Sequence, residues 1–295
     1  MPTRSWLFVP GDSERKLAKA AGAGADVVVI DLEDAVADAG KPKAREQARE
    51  WLGIHGAEVT AGPHMRRWVR INALDTPHWR GDLAAIMPAA PHGIVAPKVT
   101  SPVQLRDLAA ELYELEQRAG LPSGETAIMP MLGESSAAAL AIPAFADPGF
   151  ILNRLCAFGW GSEDLARSVG AQRKRDDAGR WTDLFRHVRT QVLLAAGVKE
   201  VAAIETIHAD FRDLDALARI AGEACADGFS GMLAIHPAQV PVINEAFTPS
   251  EEQLARARAI VQAFEERPDA GALQLDGEMI EKPHLAQARS LLSRS

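Results

Sequence analysis

Short apolar runs alternate along this chain with longer, amphipathic, alanine-rich segments, and the alternation recurs over most of its length. Trp6–Val9 is the first run, and Pro10-Gly11 turns the chain after it. Asp12 or Ser13 then stands where an N-cap belongs, ahead of a helix through Leu17 and Ala20. Val27–Ile30 is nearly all β-branched, which suits a strand buried on both faces. Further strands are expected at Trp68–Ile71, Gly93–Ala96, Ala127–Leu132, Leu155–Phe158, Val201–Ile204 and Gly231–Ile235. Pro130 weakens the fifth strand, because proline removes a ladder donor. Helices are expected at Lys41–Leu52, Leu83–Met87, Gln104–Arg118, Ser135–Phe145, Asp183–Ala196 and Leu214–Ala226. Two more, Glu251–Glu266 and His284–Leu292, follow the last strand.

Strands that alternate with helices pair in parallel through crossovers. Eight such units favour an α/β fold of the closed (β/α)8 TIM-barrel type over an open sheet. No Gly-x-Gly-x-x-Gly follows the first strand, which removes the best support for a dinucleotide-binding sheet. A barrel takes roughly 250 residues, and the chain has 295. The expected division is therefore a catalytic barrel over 1–250 and a C-terminal helical lid over 251–295, with Arg267–Ala272 as the linker before the terminal segment.

Composition refines this picture. Hydrophobic residues make up 47% of the chain but aromatics only 5%, so the core is expected to be mainly Ala, Val, Leu and Ile. The net charge of −8 argues against nucleic acid or an anionic membrane as partner, while leaving room for a local basic pocket. No apolar run reaches the ~20 residues that span a bilayer, and no secretory signal pattern opens the chain. A cytoplasmic location is expected. Cys156 and Cys225 lack metal-ligand spacing and are expected to be reduced, partly buried thiols.

The ionisable residues fall just after the strands: Asp31, Glu33 and Asp34; Arg70; Lys98; Glu134; Glu163 and Asp164; Glu205; His236. In a barrel these ends converge on the rim where barrel enzymes place their chemistry. Loops are polar in any protein. That alone does not account for Arg70 closing a buried strand, or for Glu134 between Leu132-Gly133 and Ser135-Ser136. Glu134 and Asp164, about one βα unit apart, could share a magnesium ion, which needs only one or two protein carboxylates. Acid–base work by the same pair without metal is the alternative. There is no His/Cys cluster for zinc or iron. Lys98 is expected to ion-pair near these carboxylates, and Trp160 to pack the barrel mouth. His236 is expected to bond a backbone carbonyl beside a helix that starts near Pro237 and Gln239. Gln172–Asp177 is expected to be an exposed loop.

The string Arg4-Ser-Trp-Leu-Phe-Val-Pro-Gly11, followed by Asp31-Leu-Glu-Asp-Ala-Val36, resembles the citrate-lyase β-subunit-like proteins of the HpcH/HpaI aldolase superfamily, beside malyl-CoA and citramalyl-CoA lyases. The similarity continues through Arg70-Ile-Asn72, Pro97-Lys98-Val99, Gly133-Glu134-Ser135, Trp160-Gly-Ser-Glu-Asp-Leu165, Ala234-Ile-His-Pro-Ala-Gln239 and Phe247-Thr-Pro-Ser250. It ends at Gly277-Glu-Met-Ile-Glu-Lys-Pro-His284. Each motif alone is common, and the ordered set is specific.

The resemblance implies a (β/α)8 barrel, a homo-oligomer (trimer or hexamer), Mg2+, and a coenzyme A thioester as the small-molecule substrate. It implies that Glu134 and Asp164 bind the metal, that Glu33 and Asp34 support its water shell, and that Arg70 contacts substrate oxygens. Gly133 and Lys98 are further candidates for substrate binding. Arg15, Lys16 and Lys19 would meet the phosphates of coenzyme A, or else form a solvated helix face. The C-terminal segment would lie over a neighbouring subunit's site and supply an acidic residue, here Glu281. Arg70, Glu281 and Asp34 are thus the candidate catalytic residues. Three positions depart from the family pattern: Glu281 and Glu205 where Asp is usual, and Met232 where many relatives have Lys. The first bears on proton transfer, and the other two are expected to bear on substrate choice. The implied reaction is cleavage of a β-hydroxyacyl thioester to an acyl-CoA and an α-keto acid. Its rivals are an aldolase acting without coenzyme A, a thioesterase or a condensing synthase, and a non-catalytic subunit.

Overall fold

In the computed structural model, which describes residues 3–57 and 65–292, eight parallel strands close into a barrel. They are β1 (Ser5–Pro10), β2 (Val27–Asp31), β3 (Arg66–Arg70), β4 (Gly93–Ala96), β5 (Ala127–Leu132), β6 (Ala157–Trp160), β7 (Ala202–Glu205) and β8 (Gly231–Ala234). Each pairs with the next, and β1 closes the ring against β8 through Ser5↔Met232 and Trp6↔Leu233.

The helices that cross between strands are α1 (Glu14–Ala20), α2 (Lys41–Ala57), α3 (Trp79–Ile86), α4 (Pro102–Ala119), α5 (Ser136–Ala146), α6 (Ser162–Val169), α7 (Asp183–Lys199) and α8 (Leu214–Asp227). After β8 come α9 (Gln239–Ala246) and α10 (Glu251–Glu266). One helix goes beyond the sequence expectation: α6 is short, buries only Ser162 and Leu165, and begins at the barrel mouth among polar residues. The helix start expected near Pro237 and Gln239 is that of α9.

Pro130 sits inside β5, paired with Ala96 of β4. Its missing donor is felt on the other side. The pairing with β6 shifts by one residue between the isolated bridge Ile128↔Leu155 and the ladder pair Met131↔Gly159. The chain entering β6 therefore bulges where the proline offers no N–H.

Two apolar layers form the core. The larger lies between strands and helices and is rich in Val, Leu, Ile and Ala, as expected. The barrel interior departs from that expectation: Trp6 and Trp68 fill it with Met129, Met131, Ile204 and Leu233. The two indoles meet edge to face at 4.9 Å. Gly93 leaves space for Trp68, since a Cβ there would lie 2.5 Å from the ring. Most of the other aromatics, among them Trp51, Trp79, Phe145, Phe158, Phe185 and Phe229, lie in the strand–helix layer.

Beyond the barrel, α10 packs with α11 (Lys282–Leu292) and a β-hairpin of β9 (Ala272–Leu275) and β10 (Glu278–Glu281). This unit has its own core of Ala257, Ile260, Phe264, Leu273, Ile280 and Ala288. The wholly helical extension expected from the sequence is corrected here: Asp276-Gly277, both at positive φ, makes a two-residue turn between the strands.

Candidate active site

The C-terminal ends of the strands open into one cavity of about 690 Å3. Asp31, Asp34, Arg70, Glu134, Trp160, Glu163, Asp164 and His236 line it together, above apolar walls that include Phe8, Met131 and Leu233. Arg15, Lys16 and Lys19 of α1 line its mouth.

Glu134 is carried to this place by the backbone. Gly133 adopts φ +71°, which turns the chain sharply after β5, and a Cβ there would lie 2.5 Å from Val188. Gly133, expected to contact substrate, is here the turn residue that brings Glu134 to the cavity. The Glu134 carboxylate lies over Gly161, where a Cβ would fall 2.7 Å from Oε1. Its Oε2 accepts from the Lys98 backbone N–H at 2.5 Å. Asp164 stands in the first turn of α6, directly after β6, and accepts from Arg167 at 2.5 Å.

Burial, with Glu33 nearby, pushes Glu134 up to about 8. Asp164 adds to the repulsion. Burial also raises Glu33 above the usual carboxylate range, against the opposing charges of Arg70 and Lys98. Lys98 sits at positive φ and its ammonium pairs with Glu33 and with Asp34 at 2.8 Å. It lies 3.9 Å from Asp164. The expected ion pairing of Lys98 therefore holds, and its ammonium orders the carboxylates at the edge of the cavity.

Arg70 is held from below. Its Nε and one terminal nitrogen donate to the two oxygens of Asp31 at 2.8 and 2.6 Å, and its other nitrogen lies 3.1 Å from Glu33. The guanidinium also covers the Phe8 ring at 5.0 Å. Burial alone would raise Asp31, yet the charge of Arg70 and the N–H groups of Glu33 and Ala35 hold it below the usual range. Asp31 is thus a site residue that sequence reasoning noted but gave no role. Its signal was positional: Asp31 and Arg70 close adjacent parallel strands.

Several other expectations are revised. Glu205 is buried outside the cavity, accepting from the Trp160 indole at 2.7 Å and pairing with Arg189 at 2.5 Å. Met232 lies in the strand–helix core. Neither touches the cavity, so neither bears on substrate choice by contact. Trp160 packs the mouth as expected, edge to face with Trp181 at 5.2 Å. His236 accepts from the Ala238 N–H through Nδ1 instead of bonding a carbonyl, and stacks on Phe211 at 4.6 Å. The stretch 172–177 is only partly free: Arg175 covers Trp181 at 3.6 Å and Lys174 pairs with Glu163. Glu281 is exposed on the C-terminal unit, and every residue lining the cavity lies between Leu7 and Pro237 of the chain. Cys156 and Cys225 form no disulfide among the described residues. No helix among the described residues is long and apolar enough to cross a membrane.

The donor set fits a hard divalent cation. It consists of carboxylate oxygens alone, Glu33 and Glu134 raised above the usual range chiefly by burial, with the Lys98 ammonium drawn into their midst. No three His, Cys, Asp or Glu side chains converge as a metal cage among the described residues. Magnesium keeps several waters or ligand oxygens and needs only one or two protein carboxylates, a number that Glu134 and Asp164 at this mouth would meet.

The family model described as HpcH/HpaI aldolase/citrate lyase matches residues 4–237. A citrate lyase subunit beta-like protein from Mycobacterium tuberculosis is 37% identical over 98% of this chain and 94% of its own length. The mitochondrial citramalyl-CoA lyase of Rattus norvegicus is 31% identical over 99% and 86%. A (3S)-malyl-CoA thioesterase from Cereibacter sphaeroides is 32% identical over 100% and 95%. Among solved structures, CitE of M. tuberculosis in complex with magnesium, acetoacetate and coenzyme A superposes with a TM-score of 0.76 at 34% identity, covering 99% of this chain and 98% of that one. With its ordered motifs, closed barrel and carboxylate-lined mouth, this chain belongs to the HpcH/HpaI aldolase/citrate lyase family.

Proposed function

We propose that this protein is a magnesium-dependent carbon–carbon lyase that cleaves a malyl-, citramalyl- or citryl-type β-hydroxyacyl-CoA to acetyl-CoA, or a related acyl-CoA, and an α-keto acid. The observation that carries this reading is the meeting of Glu134, Asp164 and Arg70 in one cavity whose mouth is lined by Arg15, Lys16 and Lys19. The CitE complex with magnesium and coenzyme A and the named citramalyl-CoA lyase support it.

Glu134 and Asp164 would hold the metal, and Glu33 and Asp34 would support its water shell. When bound, magnesium supplies a Lewis acid and template for the substrate's hydroxyl and free carboxylate. Asp34, half exposed at the cavity edge, accepts the β-hydroxyl proton. The C–O bond then becomes a carbonyl as the Cα–Cβ bond breaks, and the electron pair passes to the acyl-CoA enolate. Arg70 carries a permanent charge and faces the cavity, where it stabilises developing oxyanion charge. Removing one such donor costs about 3 kcal/mol in the transition state. Glu281 of a neighbouring subunit returns a proton to the enolate carbon. We assign 251–295 as the segment that crosses to that neighbour in a trimer or hexamer, with 1–250 as the catalytic barrel. Arg15, Lys16 and Lys19 neutralise coenzyme A phosphates.

The test is a panel of β-hydroxyacyl-CoA thioesters with magnesium, following acyl-CoA and keto acid together. Equal release of both, abolished by chelation, is expected. Free coenzyme A with no keto acid would identify a thioesterase, the activity named for the Cereibacter relative. Cleavage of free hydroxy-keto acids alone would identify an aldolase that needs no coenzyme A.

A further inference from the structure

Behind the cavity lies a buried cation that the proposed chemistry does not use. Lys41, the first residue of α2, is 5% exposed. Its ammonium donates to the carbonyls of Leu32, Glu33 and Val36 at 3.2, 3.3 and 3.3 Å, and to Asn72 Oδ1 at 2.6 Å. Its one carboxylate neighbour, Asp38, is 3.9 Å away and solvent-exposed. A buried ammonium is costly unless its donors are matched, and here the match is mostly to one loop's backbone. That loop carries Glu33 and Asp34.

The same loop is held from its other side. The Asp31 carboxylate accepts from the N–H of Glu33 at 2.9 Å and of Ala35 at 3.3 Å. An anion therefore fixes the N–H of Glu33 and a cation fixes its C=O. The position of Lys41 is itself determined. Asn72 accepts from Lys41 and donates to the Leu32 carbonyl at 3.0 Å and to Asp82 at 2.7 Å. Asp82 is fully buried and accepts from Arg45, one turn along α2, at 2.7 Å. The chain of contacts runs from α2 and α3 through Asn72 to the loop, and ends at the carboxylates gathered around Lys98.

We propose that Lys41 is a positioning residue that holds the loop 32–36 so that Glu33 and Asp34 face the cation site. It rests on the magnesium reading above, and it adds a determinant of metal affinity that touches neither metal nor substrate. A merely stabilising lysine would contribute to the melting temperature and leave metal affinity alone.

The experiment titrates magnesium alone into the full-length protein by calorimetry, for the parent, Lys41→Met and Asn72→Ser. Hydrogen exchange is followed at the amides of Glu33 and Ala35. Lys41→Met is expected to weaken magnesium binding at least tenfold. Exchange at both amides should quicken while the β5–α5 side stays unchanged, and kcat should fall more than KM rises. Asn72→Ser should shift affinity and exchange in the same direction by a smaller factor, and it carries the test if Lys41→Met does not fold. Magnesium affinity within twofold of the parent in the folded variants, whatever their melting temperatures, overturns the proposal. A parent that binds no magnesium overturns it together with the magnesium reading, and is told apart because there is then no binding to lose.

Discussion

Asp31 and Arg70 are register partners on the last rung of β2 and β3, and their side chains clasp through two hydrogen bonds of 2.8 and 2.6 Å. The clasp fixes the guanidinium plane inside the cavity. Arg70→Lys keeps the charge but loses the fork, so kcat is expected to fall about 100-fold, in line with the loss of one oxyanion donor. Asp31→Asn should lower kcat at least tenfold with the far-ultraviolet circular dichroism unchanged. Steady-state kinetics of the two variants checks both.

Gly161 gives a test that alters no polar group. Its backbone, at φ −121° and ψ 106°, accepts any residue, yet a Cβ would press on the Glu134 carboxylate. Gly161→Ala is expected to weaken magnesium binding and kcat by more than tenfold, with a melting temperature near that of the parent. Unchanged magnesium affinity would mean that the Glu134 carboxylate moves freely.

Glu281 lies outside its own chain's cavity. If neighbours share sites head to tail, Glu281→Gln and Glu134→Gln subunits, each inactive alone, should complement on mixing. About a quarter of the sites would then combine an intact barrel with an intact Glu281. Activity that stays at the level of the separate variants would place Glu281 in a structural role.

His92, just before β4, accepts from the Arg67 N–H at 3.0 Å through Nδ1. Burial, with the charges of Arg67 and Arg66, pushes it down to about 4. The unfolded chain binds this proton first as pH falls. The stabilisation is therefore complete above the ordinary value of 6.5 and is lost between there and about 4. Roughly 2 kcal/mol is involved, allowing for partial exposure. His92→Asn keeps an acceptor and should flatten stability against pH in that window, measured by urea denaturation.

The barrel was legible because buried parallel strands concentrate apolar residues. Val27–Ile30 and Gly93–Ala96 stand out from their polar flanks, and the catalytic rim follows from what comes after them. The Asp276-Gly277 hairpin turn was also present as a signal, between β9 and β10. It was masked by polar strands that bury only Leu273 and Ile280 deeply. Other features had no local signal. Lys41 looks like any charged helix start until the loop carbonyls fold over it. Glu205 and Met232 could not be placed by chain position. Which way a strand residue points depends on register and on local turns, and both lie outside the cavity.

The central claim is that Glu134 and Asp164, remote in sequence, grip one ion together. Magnesium titration of the parent, Glu134→Gln and Asp164→Asn by calorimetry tests it most directly. One ion bound per subunit is expected in the parent, with binding lost or weakened at least 100-fold in each variant while both melt cooperatively. Parent-like magnesium binding in either variant would contradict the account.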